Sequence, residues 1–104
     1  MTLRYTPEAI RDLQETKRYI SKVLCNPKAA ARITKSILDS YSSLKSHPHL
    51  GMSVEAKTGH PTDLHYLICE MHIAFYRIEG NTISVARILD GRQDYLRILF
   101  DTAE

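Results

Sequence analysis

Hydrophobic residues in the first half of the chain recur at spacings of three and four, the pattern of helices with one buried face. The first stripe follows Thr6-Pro7, a pair typical of a helix start, with threonine as N-cap and proline at the first helical position. The second follows Asn26-Pro27, which repeats that signal, and should end near residues 46–48. The two stripes consist of Ile10, Leu13, Ile20 and Leu24, and of Ala30, Ile33, Ile37, Tyr41 and Leu44. Because the connection between them is short, we expect the helices to lie antiparallel as a helical hairpin.

The pattern changes in the second half, where apolar, aromatic and β-branched residues concentrate in short runs that predict strands. These runs are residues 64–69, 72–78 and 82–89. Residues 2–6 predict another short strand, residues 51–63 a loop because of their glycines, proline and small polar residues, and residues 94–100 a short helix or a tail. The order is therefore β-α-α-β-β-β plus a short C-terminal element. It predicts an α+β fold, with the helical hairpin packed on one face of a small, mostly antiparallel sheet.

Length and composition indicate a small protein that does not enter membranes. A chain of 104 residues has the length of one domain, which we expect to span residues 1–104. No apolar run approaches the ~20 residues that cross a bilayer, and the N-terminus lacks the apolar core of a signal peptide. Cys25 and Cys69 match no redox or metal spacing and fit reduced thiols. We therefore expect a cytoplasmic protein.

Charge is distributed unevenly along the chain. Residues 1–52 hold nine Lys and Arg against four Asp and Glu, a net +5, whereas residues 53–104 hold five against eight, a net −3. The basic half fits either an acidic partner or nucleic acid, or else an ordinary solvated helix face. The basic residues expected on the outer faces of the two helices include Arg11, Arg18, Lys22, Lys28 and Arg32.

The sequence holds few signs of metal, cofactor or nucleophile chemistry. Its five histidines form no HxxxH motif, and the one His-Pro-His, at residues 47–49, is a weak metal signal. It has neither a GxSxG nucleophile motif nor a phosphate-binding glycine loop. We expect neither a metal nor a cofactor.

The main candidate site is a set of polar residues on and just beyond the C-terminal strands: His65, Arg87, Arg92 and Tyr95. Side chains on one face of hairpin-linked strands approach each other closely. Arg87 could form an internal ion pair with Asp90 or Asp94 that fixes the end of the strand. Alternatively, the set could cleave RNA, which requires a base, an acid and a cation, or could bind another protein. The residue types alone leave these alternatives open.

A family resemblance rests on residues 75–100, FYRIEGNTISVARILDGRQDYLRILF. Phe75-Tyr76 before Arg77, the hairpin at residues 79–81, Arg87-Ile88-Leu89, and Gly91-Arg92 before Asp94-Tyr95 resemble the C-terminal signature of the RelE/ParE superfamily. The N-terminal YTPEAIRDLQETKRYI is similar to the first helix of that superfamily. The resemblance implies a toxin of a type II toxin–antitoxin module, with two helices packed on an antiparallel sheet.

The superfamily divides into two activities. RelE-like members cleave mRNA in the ribosomal A site with basic residues and a terminal Tyr or His, whereas ParE-like members are not nucleases and poison DNA gyrase. This chain has Ile73 and Gln93 where basic residues are common in the superfamily, although Lys57, Arg87, Arg92 and Tyr95 could form a reduced set. The resemblance therefore favours a ParE-like toxin with a non-nucleolytic action. The alternatives are a RelE-like ribosome-dependent endoribonuclease and a non-toxic binding module retained for autoregulation.

The resemblance also implies partners. A small antitoxin, partly disordered when free and acidic in its binding segment, should bind along the helical hairpin or across the sheet groove. Its expected contacts are Arg11, Arg18, Lys22, Lys28 and Arg32. The cellular target would be DNA gyrase or the ribosome, and the toxin could form a homodimer or a hetero-oligomer.

Overall fold

The computed structural model describes residues 1–100, which form nine regular elements. In chain order these are β1 (Thr2–Tyr5), α1 (Pro7–Arg18), α2 (Pro27–Ser42), β2 (Met52–Ser53), α3 (Val54–Thr58), β3 (His65–Cys69), β4 (His72–Glu79), β5 (Thr82–Asp90) and α4 (Tyr95–Phe100). A π-helical turn, Tyr19–Val23, extends α1, and a 3₁₀ turn, Ser43–Lys45, extends α2. The predicted helical hairpin and C-terminal strands are confirmed.

The strands form one sheet in the order β1-β5-β4-β3-β2. All neighbours are antiparallel except β1 and β5, which are parallel. The parallel pair arises because the helical hairpin, β2, α3 and the β3–β4 hairpin separate these two strands in the chain. The expected α+β fold with a mostly antiparallel sheet is confirmed.

Capping side chains start both long helices where the sequence predicts. The Thr6 hydroxyl accepts a hydrogen bond from the Ala9 N–H at 3.1 Å, and the Asn26 side chain accepts one from the Ala29 N–H at 3.1 Å. Each cap satisfies an amide that the first helical turn leaves unpaired. The two helices pack on one face of the sheet, which we call the first face. Its buried residues are Ala9, Ile37, Tyr41, Leu44, Ala74, Tyr76, Ile83, Val85 and Ile88.

The opposite face, which we call the second face, is covered by α3 and α4. Its buried residues are Val54, Leu64, Tyr66, Ile73, Phe75 and Leu89. The prediction of a loop over residues 51–63 is wrong for its first part, which forms β2 and α3. Ser53 caps α3 by accepting from the Ala56 N–H at 3.1 Å, and Gly59 ends it with a φ of +79°. Such a short helix has no hydrophobic period to read, and Val54 is its buried residue.

A β-bulge interrupts the pairing of β4 with β5. Phe75 pairs with Arg87 and Tyr76 with Val85, so Ala86 is left unpaired between them. A bulge of this kind bends its strand and re-aims the side chains beyond it. Val85 and Ile88 consequently both pack on the first face although they are three residues apart. The bulge lies just before Arg87, at the point where β5 extends past β1.

Candidate functional site

A groove of about 870 Å³ lies between the helical hairpin and the end of the sheet. One wall is the turn that joins α1 to α2. The other is formed by the β3–β4 turn, the last residues of β5 and the segment that follows. Its apolar floor includes Ile20, Ile33 and Ile88. Grooves of this size between packed elements are common binding sites.

Three large apolar side chains form the edge of this groove, and we call them the apolar rim: Tyr19, Leu24 and Met71. They are 49%, 56% and 60% exposed. The π-helical turn positions the first two, since the Leu24 N–H donates to the Tyr19 carbonyl at 3.1 Å across five residues. Met71 lies in the β3–β4 turn with a φ of +69°. π-helical turns and left-handed non-glycine residues are frequent at functional sites.

Arg87 is bound by Asp12 of α1, so its ion pair is formed with another element and not with Asp90 or Asp94, the partners considered from the sequence. Its Nε donates to Asp12 Oδ2 at 2.7 Å and its Nη2 to Oδ1 at 2.9 Å. The N–H of Ile88 also donates to Asp12 Oδ2, at 3.0 Å. We call this arrangement the Asp12 clasp. Its hydrogen bonds raise the pKa of Arg87 above its ordinary value.

The Asp12 clasp forms where it does because β1 is shorter than β5. Past Tyr5, no strand within residues 1–100 lies beside the outer edge of β5, and edge groups need other partners. The Thr6 hydroxyl donates to the Ala86 carbonyl at 2.8 Å, and Asp12 accepts from Ile88. The N-cap of α1, Thr6, and Asp12 in the middle of that helix therefore cover this edge.

Arg92 and Asp90 form a second pair at the end of β5. Arg92 donates from Nε to Asp90 Oδ1 at 3.0 Å and from Nη2 to Oδ2 at 2.7 Å, and its main-chain N–H donates to Oδ1 at 2.8 Å. These hydrogen bonds lower the pKa of Asp90 to about 2. Gln93 has a structural role here, because its Oε1 accepts from the Asp90 N–H at 2.8 Å. The neutral amide thus terminates the strand where a cation was expected.

The groove carries little net charge. Four carboxylates and three guanidinium groups line it, a formal charge of −1: Asp12, Glu15, Glu70 and Asp90 against Arg18, Arg87 and Arg92. Each of the three arginines has a carboxylate partner, since Arg18 pairs with Glu15 at 2.9 Å. The groove therefore offers an apolar surface with internally paired charges.

The other two predicted site residues lie elsewhere. His65 stacks on Tyr76 with ring centroids 5.4 Å apart, outside the groove lining. Its Nδ1 is buried and has no hydrogen-bond partner among the described residues. Tyr95 packs against Phe75 on the second face at 5.3 Å. The side chain of Asp94 is bonded to neither arginine within residues 1–100. The fold thus brings Arg87 and Arg92 to one groove and separates them from His65 and Tyr95.

The five basic residues expected to contact an antitoxin are all exposed. Arg18 pairs with Glu15, and Arg32 donates to Glu70 at 3.1 Å. Arg11, Lys22 and Lys28 form no ion pair within residues 1–100. Of the five, these three therefore stay available on the hairpin surface, as does Lys17.

Sequence reasoning missed Asp12 and the apolar rim. Asp12 precedes Leu13 of the apolar stripe, so an acidic residue beside the buried face of α1 was the available signal. Residues 1–100 contain no cluster of three or more His, Cys, Asp or Glu side chains that could hold a metal ion. Nor do they include a helix with both the length and the hydropathy needed to cross a membrane.

Comparisons with known proteins identify relatives of this chain by fold and by sequence. A solved structure titled "Chromosomal ParDE TA system from P. aeruginosa" has a similar fold, with a TM-score of 0.73 and 23% identity over 86% of this chain and 95% of that one. Curated proteins gave no significant match. The sequence profile of the "ParE toxin of type II toxin-antitoxin system, parDE" matches residues 3–95. The chain belongs to the ParE toxin family of type II toxin–antitoxin systems.

Proposed function

We propose that this toxin acts in the cytoplasm by a non-nucleolytic mechanism, with DNA gyrase as its target, until an antitoxin binds it. The observation that carries the proposal is the pairing of every arginine in the groove with a carboxylate. A ribonuclease needs a cation for the phosphorane charge together with an acid and a base nearby. Here Arg87 and Arg92 are engaged, and His65 and Tyr95 lie outside the groove.

The test compares two activities of the same preparation. Expression without an antitoxin should arrest bacterial growth, and the purified protein should inhibit DNA supercoiling by gyrase while mRNA on translating ribosomes stays intact. Cleavage of that mRNA at codon-defined positions, lost in Arg87→Ala or Arg92→Ala, would establish a ribosome-dependent nuclease instead. Arg77→Ala is the matched control, because Arg77 is also paired with an aspartate, Asp63 at 2.8 Å, but lies outside the groove. Normal growth at verified expression would favour a non-toxic binding module.

The antitoxin, in this proposal, places an apolar segment in the groove against the apolar rim. Large apolar side chains that stay exposed along one groove of a small protein commonly mark an interface. Because the groove has a formal charge of −1, acidic residues of the antitoxin would contact the hairpin surface, at Arg11, Lys22 and Lys28, rather than the groove floor. A chain that is disordered when free can cover both surfaces.

Co-purification with the product of the neighbouring reading frame tests this arrangement. Met71→Glu should weaken the complex by about thirtyfold or more, since it puts an unpaired charge at the apolar rim (~2 kcal/mol or more). Ile68→Glu is the control, because Ile68 is similarly exposed at 54% but lies outside the groove lining. Equal weakening by both variants would contradict binding of the antitoxin in the groove. Light scattering of the complex would give its stoichiometry.

A further inference from the structure

The Asp12 clasp has the donor geometry of an anion-binding site. Two guanidinium N–H groups and one main-chain N–H converge on a single carboxylate at 2.7, 2.9 and 3.0 Å. An arginine fork combined with a backbone amide also binds phosphate oxygens well. Arg87 and Asp12 both line the open groove, and their side chains are 29% and 14% exposed. A phosphate could therefore reach these donors if the Asp12 carboxylate were absent.

The three ion pairs of the groove differ in where the carboxylate comes from. Arg18 and Glu15 are three residues apart in one helix, and Arg92 and Asp90 are two residues apart in one turn. Asp12 and Arg87 are 75 residues apart and join α1 to β5. The negative charge of Glu8, one turn before Asp12, also raises the pKa of Arg87. In this pair, unlike the other two, the carboxylate comes from a different element. Substituting Asp12 would therefore release the Arg87 guanidinium and the Ile88 N–H at the strand edge together.

We propose that Asp12 is a specificity-determining residue, which keeps the groove from binding the phosphates of RNA by occupying the donors of Arg87 and Ile88. The inference rests on the proposed non-nucleolytic function and names the residue that enforces it. A carboxylate held in place by the fold competes with any free ligand at an effective concentration on the order of millimolar or above. RNA would have to displace it and would also meet a groove with a formal charge of −1.

The experiment measures binding of a fluorescein-labelled ten-residue oligouridylate by anisotropy at low salt. D12N should bind it at least about tenfold more tightly than the wild type, the effect of one new charge-assisted contact. The slope of log affinity against log salt should steepen by about 0.7 for each phosphate engaged. Adding R87Q to D12N should abolish the gain, and adding E8Q should enlarge it. D63N is the matched control, because it releases Arg77 by the same chemical change away from the groove, and its affinity should change less than twofold.

The outcomes separate this inference from the function on which it rests. Wild-type protein that binds the RNA tightly, with the same affinity as D12N, would overturn the inference, because Arg87 would then be available despite Asp12; the function would be overturned only if the wild type also cleaved mRNA. A weak wild type with no gain in D12N and in E8Q/D12N would overturn the inference alone, as would an equal gain in D63N. Asparagine keeps a neutral acceptor beside the Ile88 N–H, weak enough for a phosphate oxygen to displace, so D12N should fold, and circular dichroism with a thermal melt verifies this before binding is measured. If D12N is unfolded, the comparison is made with Asp12→Ser, for which the same gain and the same loss on adding R87Q are required.

Discussion

The two long helices of the hairpin cover one face of the sheet, whereas helices of five and six residues cover the other. On the first face, Ile37, Tyr41, Leu44 and Tyr76 are all 0% exposed. On the second, Tyr66 and Ile73 remain 7% exposed, and no residue of α4 is fully buried. Since burial stabilises in proportion to the apolar area removed from water, most of the stabilisation should come from the first face.

The two faces should therefore differ in local stability. The groove, which has the turn between α1 and α2 as one wall, is supported by the well-packed first face. The second face is closed largely by Tyr95, Leu99 and Phe100 of a helix too short to be stable alone. We therefore expect the second face to open locally at a lower free energy than the first.

Isoleucine-to-alanine substitutions at three sites would measure the difference directly and give the largest effect. Ile37→Ala should lower the free energy of unfolding by about 3–4 kcal/mol, because it leaves a cavity in the sealed first face. Ile73→Ala, on the second face, should cost about 2 kcal/mol, since neighbouring side chains can relax into the space. Ile68→Ala, at an exposed position, should change stability by less than about 0.5 kcal/mol. Urea denaturation measures all three, and equal costs at residues 37 and 73 would remove the distinction between the faces.

The link between the faces gives the next largest effect. Tyr76 lies on the first face, but its hydroxyl donates to the Pro48 carbonyl and accepts from the Gly51 N–H, both at 3.0 Å, in the segment that leads to β2 and α3. Tyr76→Phe should therefore cost about 2 kcal/mol, because it leaves two backbone groups without a partner. Tyr41→Phe removes a single bond, to the His72 carbonyl at 3.0 Å, and should cost about 1 kcal/mol. A larger loss at Tyr41 would show that the bonds to residues 48–51 contribute little.

Elements with a clear hydrophobic period could be predicted from the sequence, and those without one could not. The hairpin helices and the three C-terminal strands follow apolar patterns that are bounded in the sequence by recognisable capping or turn residues. β2 and α3 have two and five residues, too few to show a period, and they exist because Val54 packs onto the second face. The parallel pairing of β1 with β5 is likewise a matter of chain topology rather than of local pattern.

The site was predictable only where partners are close in sequence. Asp90 and Arg92 are two residues apart, within the stretch singled out from the sequence, and they do contact each other. Arg87 was expected to find a neighbour too, but its partner lies 75 residues away, and no pattern on β5 points to Asp12. Gln93 was noted only as a neutral residue where a basic one is common. Its Oε1 accepts a hydrogen bond from the Asp90 N–H at the end of β5, a partner that can be identified only once the sheet is known.

A smaller and local effect is expected from Tyr95, which holds α4 against the second face. Tyr95→Ala removes its packing on Phe75 and should lower global stability by only about 1 kcal/mol, because the side chain is already partly exposed. Hydrogen exchange in residues 95–100 should accelerate about fivefold, as expected for about 1 kcal/mol of easier local opening. Residues 95–100 should remain far less protected than α2, whose slowest amides should accelerate by no more than about fivefold. Equal protection of α2 and residues 95–100 would mean that both faces open together.

The smallest effect concerns the turn that carries the chain from β5 to α4, and it depends on pH. Hydrogen bonds from Arg92 lower the pKa of Asp90 from 3.8 to about 2 in the folded protein. A carboxyl whose folded pKa is depressed stabilises the fold above its unfolded pKa, and that contribution is lost as the pH falls from about 4 to about 2. Because the side chain of Arg92 is 75% exposed, solvent screening limits the contribution to about 1 kcal/mol or less.

Asp90→Asn should therefore lower the unfolding free energy by that amount at pH 7 and by almost nothing near pH 2. Asp39→Asn is the control, because the side chains of its pair with Lys35 are 78% and 66% exposed, and the difference between its effects at the two pH values should be smaller. A D90N deficit that persists at pH 2 would assign the effect to the hydrogen bond that Asp90 accepts from the Arg92 N–H rather than to its charge.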